Sequence, residues 1–444
     1  MKRFFSAVVI ATSLTVSAQK QWTLGECIDY AMQNNITIQQ AQLQKQSAAE
    51  DRKQSVAALL PSLSASTNQS VGYRPWLATG TSTVTNGMVN TKVNKTYYNG
   101  SYGINASWTV WNGNQNRNQV RLSAVSEEQA DLSIASTANN IQERIAQLYV
   151  QILYLNEAIA VSRQSLETSK KNEERGQQMV EVGKMSKADL AQLTAQRSAD
   201  EYNIVEAESN LANYKLQLKQ LLELTGEETF DIAVPATTDA QALESIPSLS
   251  SVYDAALQQR PEIRNAQLGL KSSDLQLRIA RAGSLPTLSL SGGVGTSTSS
   301  MSNNGWGSQM KTNFDASLGA SLSVPIFDNR RTRTAINKAQ LQRQQAQLEL
   351  QDKQKQLYST IEGYWLDAQT NQQKFRTAQA TVDSEQASYD LLSEQFNVGL
   401  KNIVELMTGK DKLLTAQQNR LQSKYMTILS QQLLRFYQGE KMNI

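Results

Sequence analysis

From Phe314 onward the apolar residues fall on every second position. Phe314, Ala316, Leu318, Ala320, Leu322, Val324 and Ile326 are interleaved with Asp315, Ser317, Gly319, Ser321 and Ser323. An earlier segment does the same, with Tyr102, Ile104, Ala106, Trp108 and Val110 set against Gly103, Asn105, Ser107 and Thr109. After Pro61 and Pro286 the alternation is weaker, through Leu63, Ala65, Thr67, Val71 and Tyr73 and through Leu288, Leu290, Gly292 and Val294. A period of two with one polar face predicts half-buried strands, here at about 62–73, 100–112, 286–297 and 314–327. Such lengths suit a tilted membrane-crossing strand of about 9–11 residues. Tyr97, Tyr98, Tyr102 and Trp111 lie near the strand ends, where an interfacial aromatic belt would sit. A soluble four-stranded sheet with one wet face fits the alternation as well. Arg74 to Asn99 and Thr296 to Asn313 are rich in Thr, Ser, Asn and Gly and read as solvent-exposed loops.

Most of the remaining chain has helical periodicity. About Asn114 to Val182 contains no proline and only Gly176 among glycines, predicting one helix of roughly 105 Å. About Arg330 to Val398 is its equal. Ile141, Ile145, Leu148, Ile152, Leu155 and Ile159 recur at helical steps, as a packed stripe requires. Shorter helices are expected over Ser186–Leu224, Ser251–Ser284, Asn402–Gln438 and Thr23–Leu60, with a proline-containing stretch from Thr225 to Ser250. These lengths let each long helix lie antiparallel along two stacked shorter ones, giving a rod tipped at Gly183 and Gly399.

The series occurs twice. Ala31 to Leu43 aligns with Ala256 to Leu268 at an offset of 225, which also carries Pro61 onto Pro286. Trp111-Asn112-Gly113 then matches Phe327-Asp328-Asn329 at an offset of 216, as do Val182-Gly183 with Val398-Gly399 and Asp189 with Glu405. The predicted organisation is a secretory signal over 1–18, a first repeat over 19–249 with an equatorial segment at 225–249, and a second repeat over 250–444. The signal rests on basic Lys2 and Arg3, the apolar run Phe4 to Val16 and the small residues Ser17-Ala18.

Composition removes whole classes of chemistry. There is no histidine and one cysteine, Cys27. Imidazole-dependent triads and dyads, a Cys/His zinc site and an intrachain disulfide are therefore impossible. No glycosidase-like carboxylate pair or Gly-rich phosphate loop stands out, and neither cofactor nor metal ligands are expected. Forty-three basic residues against 40 acidic ones give a net charge of +3, which does not suggest a nucleic-acid partner. No later stretch reaches 18 consecutive apolar residues, so entry into a membrane would require a β-barrel.

The chain resembles the TolC-like family of bacterial outer-membrane efflux proteins. The resemblance lies in the duplication, in Leu-Pro-Ser-Leu at Leu60–Leu63 and Leu-Pro-Thr-Leu at Leu285–Leu288, and in the hairpin tips. Phe396 to Leu406 follows the family's aromatic–x–Val–Gly–x–x–x–Ile–Val–acidic–hydrophobic pattern, and Val182 to Leu190 follows it more loosely. The resemblance implies a homotrimer with four strands per chain in one 12-stranded transmembrane barrel. A long antiparallel α-helical tunnel would continue it through the periplasm. It implies a periplasmic adaptor and an inner-membrane pump as partners, outer-membrane lipid around the barrel, and export of small toxic compounds or other cargo. It also implies an acidic periplasmic mouth at Glu405, joined through the repeat by Asp189. Lys401 would be a basic group holding the mouth shut, and Val182, Gly183, Val398, Gly399 and Leu400 adaptor-contact tips. Thr408 stands where some members carry a second acid. The alternative is a secreted coiled-coil or adhesin-like stalk without a channel.

Overall fold

The computed structural model describes residues 21–76, 80–84, 87–91, 95–225, 230–235, 237 and 239–443. The expected secretory signal lies outside them. In chain order the elements are β1 (Gln21–Trp22), α1 (Leu24–Asn34), α2 (Ile36–Ala57), β2 (Ser62–Tyr73), β3 (Gly80–Val84), β4 (Gly87–Thr91), β5 (Thr96–Trp111), α3 (Gln115–Glu181) and α4 (Lys187–Leu221). They continue with β6 (Asp231–Ile232), α5 (Asp239–Ala242), α6 (Leu249–Gln259), α7 (Pro261–Ala282), β7 (Thr287–Ser299), α8 (Trp306–Thr312), β8 (Asp315–Ser323), α9 (Arg331–Asn397) and α10 (Ile403–Tyr437). α3 and α9 have 67 residues each, and α4 and α10 have 35 each.

The chain forms two units. The first holds the described residues of 21–41, 134–263 and 353–443. Its main core joins Ile145, Tyr149, Ile152 and Leu153 of α3 to Leu218, Ile263, Ile361, Tyr425 and Leu434. The stripe from Ile141 to Ile159 is buried throughout. Two single helices expected from sequence are each divided. Asn35 (ψ 125°) separates α1 from α2, and Arg260 (ψ 126°) separates α6 from α7. Pro261 disfavours the helical conformation at Arg260. At Asn35 the side chain substitutes for the lost ladder: its Oδ1 accepts from the Thr37 N–H at 2.9 Å and its Nδ2 donates to the Leu221 carbonyl at 2.9 Å.

Four backbone carbonyls in the described part of the stretch between α4 and α6 accept hydrogen bonds from helix side chains. Trp365 donates to the Pro247 carbonyl (3.2 Å), Lys424 to Thr237 (2.9 Å) and Gln372 to both Ala242 (3.0 Å) and Glu244 (2.8 Å). β1 and β6 pair in parallel, and the Tyr149 hydroxyl donates to the adjoining Ala233 carbonyl at 2.7 Å.

The second unit holds 42–133 and 264–352. Its sheet has the order β2-β5-β7-β8, antiparallel throughout. The register sorts side chains cleanly by face. Leu63, Ala106, Gly292 and Leu318 form one row across the four strands, and Ala65, Ile104, Val294 and Ala316 form another. Between them runs Ser64, Asn105, Gly293 and Ser317, and beyond it Ser62, Ser107, Ser291 and Gly319. One face is aliphatic and the other is made almost wholly of Ser, Asn and Gly.

The sequence predicts half-buried strands. Within the chain, however, the aliphatic face stays open, and Leu318 is 89% and Leu63 76% exposed. The last strand stops at Ser323, short of the expected 327, because Pro325 has no N–H to offer a ladder. A bulge at Val110 removes that residue from the expected alternation and places Trp111 opposite Leu288. The segments expected to be plain loops contain the β3–β4 hairpin and the helix α8.

Candidate functional site at the two hairpin tips

The two long helices end in the same way. After α3 the chain reverses through Gly183 (φ +72°), and after α9 through Gly399 (φ +79°). The Gly183 N–H donates to the Val180 carbonyl (3.0 Å) and the Lys184 N–H to Met179 (2.8 Å). Gly399 and Leu400 repeat this with Phe396 (3.0 Å) and Gln395 (2.9 Å). Such paired bonds close a helix through a left-handed residue, a conformation glycine adopts without steric cost. A Cβ on either glycine would meet nothing within 4 Å, so the dihedral, and not space, selects glycine. Val182, Val398 and Leu400 flank the turns at 69%, 71% and 75% exposure.

The return helices begin with side-chain caps. Ser186 Oγ accepts from the Asp189 N–H (3.1 Å) and donates to the Asp189 carboxylate (2.8 Å). Asn402 Oδ1 accepts from the Glu405 N–H (2.9 Å), while the Glu405 carboxylate accepts from the Asn402 N–H (3.2 Å). Asp189 and Glu405 therefore hold the same position in the first turns of α4 and α10, where the helix dipole favours negative charge. The other Glu405 oxygen accepts from Lys401 Nζ at 2.6 Å. Lys401 is thus paired within its own hairpin, four residues from its partner.

The hydrogen bond from Lys401, with the Asn402 N–H second, holds the Glu405 carboxyl below the usual range. A depressed folded value means this contribution to stability is present above the ordinary glutamate pKa and is lost as pH falls through the folded one. Carbon-13 titration of Glu405 should give a midpoint below the ordinary value of about 4.3. Lys401→Met should move it upward, and an unchanged midpoint would show that the pair does not form in solution.

Beneath the tips, Leu193, Tyr389, Phe396, Ile403, Leu406 and Leu413 form a separate apolar cluster. Each hairpin also brings a glycine against a leucine. A Cβ on Gly176 would lie 2.5 Å from Leu193, and one on Gly409 would lie 2.7 Å from Leu392. The partners exchange places between the repeats, since the offset of 216 carries Gly176 onto Leu392 and Leu193 onto Gly409.

One cluster was not foreseen from the sequence. Lys410 of α10 is ion-paired with Asp200 of α4, and both side chains are deeply buried, at 5% and 4% exposure. Lys410 Nζ also donates to Ser169 Oγ of α3 (2.6 Å), Ser169 Oγ donates to Asp200 (2.5 Å), and Gln196 Nε2 donates to the other Asp200 oxygen (3.1 Å). The signal was present in the spacing. Lys410 falls on the buried stripe of Ile403, Leu406 and Leu413, and Asp200 falls on that of Leu193 and Ile204. Among the described residues, no group of acidic and thiol side chains has the arrangement of a metal site.

The sequence profile described as outer membrane efflux protein matches residues 27–223 and again 252–440. The outer membrane protein TolC of Vibrio cholerae serotype O1 is 25% identical over 332 residues, covering 74% of each chain. The solved structure of CusC superposes with a TM-score of 0.80 at 18% identity, over 94% of this chain and 92% of that one. The crystal structure of the outer membrane protein VceC from Vibrio cholerae gives 0.78 at 17% identity, over 95% and 97%.

Proposed function

The chain belongs to the outer membrane efflux protein family, and on that premise we propose that it is the outer-membrane channel of a tripartite export system. It would take small toxic compounds or other cargo from an inner-membrane pump through a periplasmic adaptor. The observation that carries this reading is the sheet. One face is aliphatic and open, the other is hydroxyl-rich, and β2 and β8 each pair on one side only. Such a wall suits lipid outside and water inside. Its open edges are not tolerated in hydrocarbon, and four strands do not close a cylinder. Three copies related by a rotation join β2 of one to β8 of the next and close a 12-stranded barrel. The stalk alternative leaves the aliphatic face without a purpose.

In this assembly the tips face the periplasm. Val182, Gly183, Val398, Gly399 and Leu400 would present small, apolar turns to the adaptor. Glu405 and Asp189, three of each, would line the mouth, where carboxylate rings favour cations. Lys401 tempers that charge through its pair with Glu405. Detergent-extracted protein should give the mass of three chains by native mass spectrometry and discrete conductance steps in planar bilayers. A single chain without conductance would overturn the proposal. Within a conducting trimer, Lys401→Ala combined with Glu405→Gln is expected to raise open probability or weaken cation selectivity. If neither changes, these residues do not form the mouth.

A further inference from the structure

We infer that α8, in a segment that reads as a solvent-exposed loop, is an interfacial anchor that seats Trp306 at the acyl–headgroup boundary of outer-leaflet lipid. The inference rests on the channel reading of the sheet as a membrane wall. Four helices, α2, α3, α7 and α9, join the sheet at one end of its strands, and α8 lies at the opposite end, between β7 and β8. It is not a free excursion. Thr296 Oγ1 donates to the Met310 carbonyl (2.9 Å), and Asn313 Nδ2 donates to the Ser297 carbonyl (2.6 Å). Gln309, buried to 6% exposure, accepts from the Ser299 N–H (2.7 Å) and donates to the Ser299 carbonyl (3.1 Å).

The register tells which face it covers. Thr296 lies opposite Tyr102, and both continue the aliphatic rows of Val294 with Ile104 and Gly292 with Ala106. The Trp306 ring meets Tyr102 edge-on with centroids 6.3 Å apart. The helix therefore sits on the lipid side of the sheet, over its two central strands. In the proposed trimer a neighbouring chain pairs at the edge strands β2 and β8, while α8 covers the central pair β5 and β7, so lipid is the occupant the geometry points to.

The height agrees. From Leu288 to Thr296 a strand advances roughly 27 Å, or about 20 Å along the membrane normal at the usual tilt, close to the height of an outer-membrane apolar band. α8 thus begins where the hydrocarbon ends. Trp306 is 58% exposed there, offering an apolar ring with a polar N–H of the kind that concentrates at that boundary.

The full-length protein in phosphatidylcholine vesicles tests this. The Trp306 component is the emission lost in Trp306→Phe, and a mid-strand reference is Leu318→Trp made in the Trp306→Phe background. Lipids brominated high on the acyl chain should quench the Trp306 component by about half or more, and those brominated low should quench it less, with aqueous iodide having little effect. Quenching by iodide without quenching by brominated lipid overturns the inference, while quenching of the mid-strand reference leaves the barrel intact. If brominated lipid reaches neither position, the channel reading itself fails.

Discussion

Lys410→Met is expected to destabilise the helical unit by about 3–5 kcal/mol, because it leaves the Asp200 carboxylate buried without its counter-charge. The loss should fall toward the lower end of that range, since Ser169 and Gln196 still donate to Asp200. Asp200→Leu alone strands the ammonium instead, with Ser169 as its remaining side-chain partner among the described residues, and should be as damaging. The two changes together remove both charges and are expected to recover most of the loss, since apolar replacement of a buried pair is commonly neutral or stabilising. The midpoint of thermal loss of helical circular dichroism in detergent separates these cases. Additive losses in the double variant would mean that the two charges do not act as a pair. The network ties α3, α4 and α10 together, so its removal tests whether three helices below the tips move as one body.

Leu318→Arg is the second large effect. Leu318 lies midway along the aliphatic rows, four residues from both Leu322 and Phe314, and a lipid-facing arginine near the bilayer midplane costs about 2–4 kcal/mol. Its neighbour Ser317 points to the other face, opposite Gly293. Ser317→Arg should therefore leave stability nearly unchanged and shift the ion selectivity of the pore instead. Unfolding in lipid vesicles, compared with conductance, reads both. Equal destabilisation by the two substitutions would mean that the faces have been assigned wrongly or that neither meets lipid.

The fold was legible where one periodicity governed a whole element. Alternation along 315–323 and the stripe from Ile141 to Ile159 each match what the chain does. Legibility failed where a single residue decided the outcome. Asn35 splits a helix because its side chain can replace backbone bonds, and nothing in the apolar pattern marks that. Pro325 ends the ladder although Val324 and Ile326 on either side of it continue the apolar alternation. α8 is not legible because Ser302, Asn303, Asn304 and Gly305 look like loop, and its order comes from bonds between the helix and the preceding strand β7, through Gln309 with Ser299 and Thr296 with Met310. At the tips, glycine and acidic positions were readable from the repeat, while the pairing of Lys401 with Glu405 needed the helix start to be placed. The Lys410–Asp200 pair was hidden because two charges on apolar stripes make sense only when the stripes are known to face each other.

The exchanged glycine and leucine beneath the tips constrain how the two halves can evolve. Copying α4 from its counterpart would put a second glycine opposite Gly176 and leave a void, while copying α3 alone would press leucine against Leu193. Recombination between the halves survives only when it transplants both limbs of a hairpin together. Twin segments that began as duplicates have become a lock and its mirror, and neither can serve as a spare for the other.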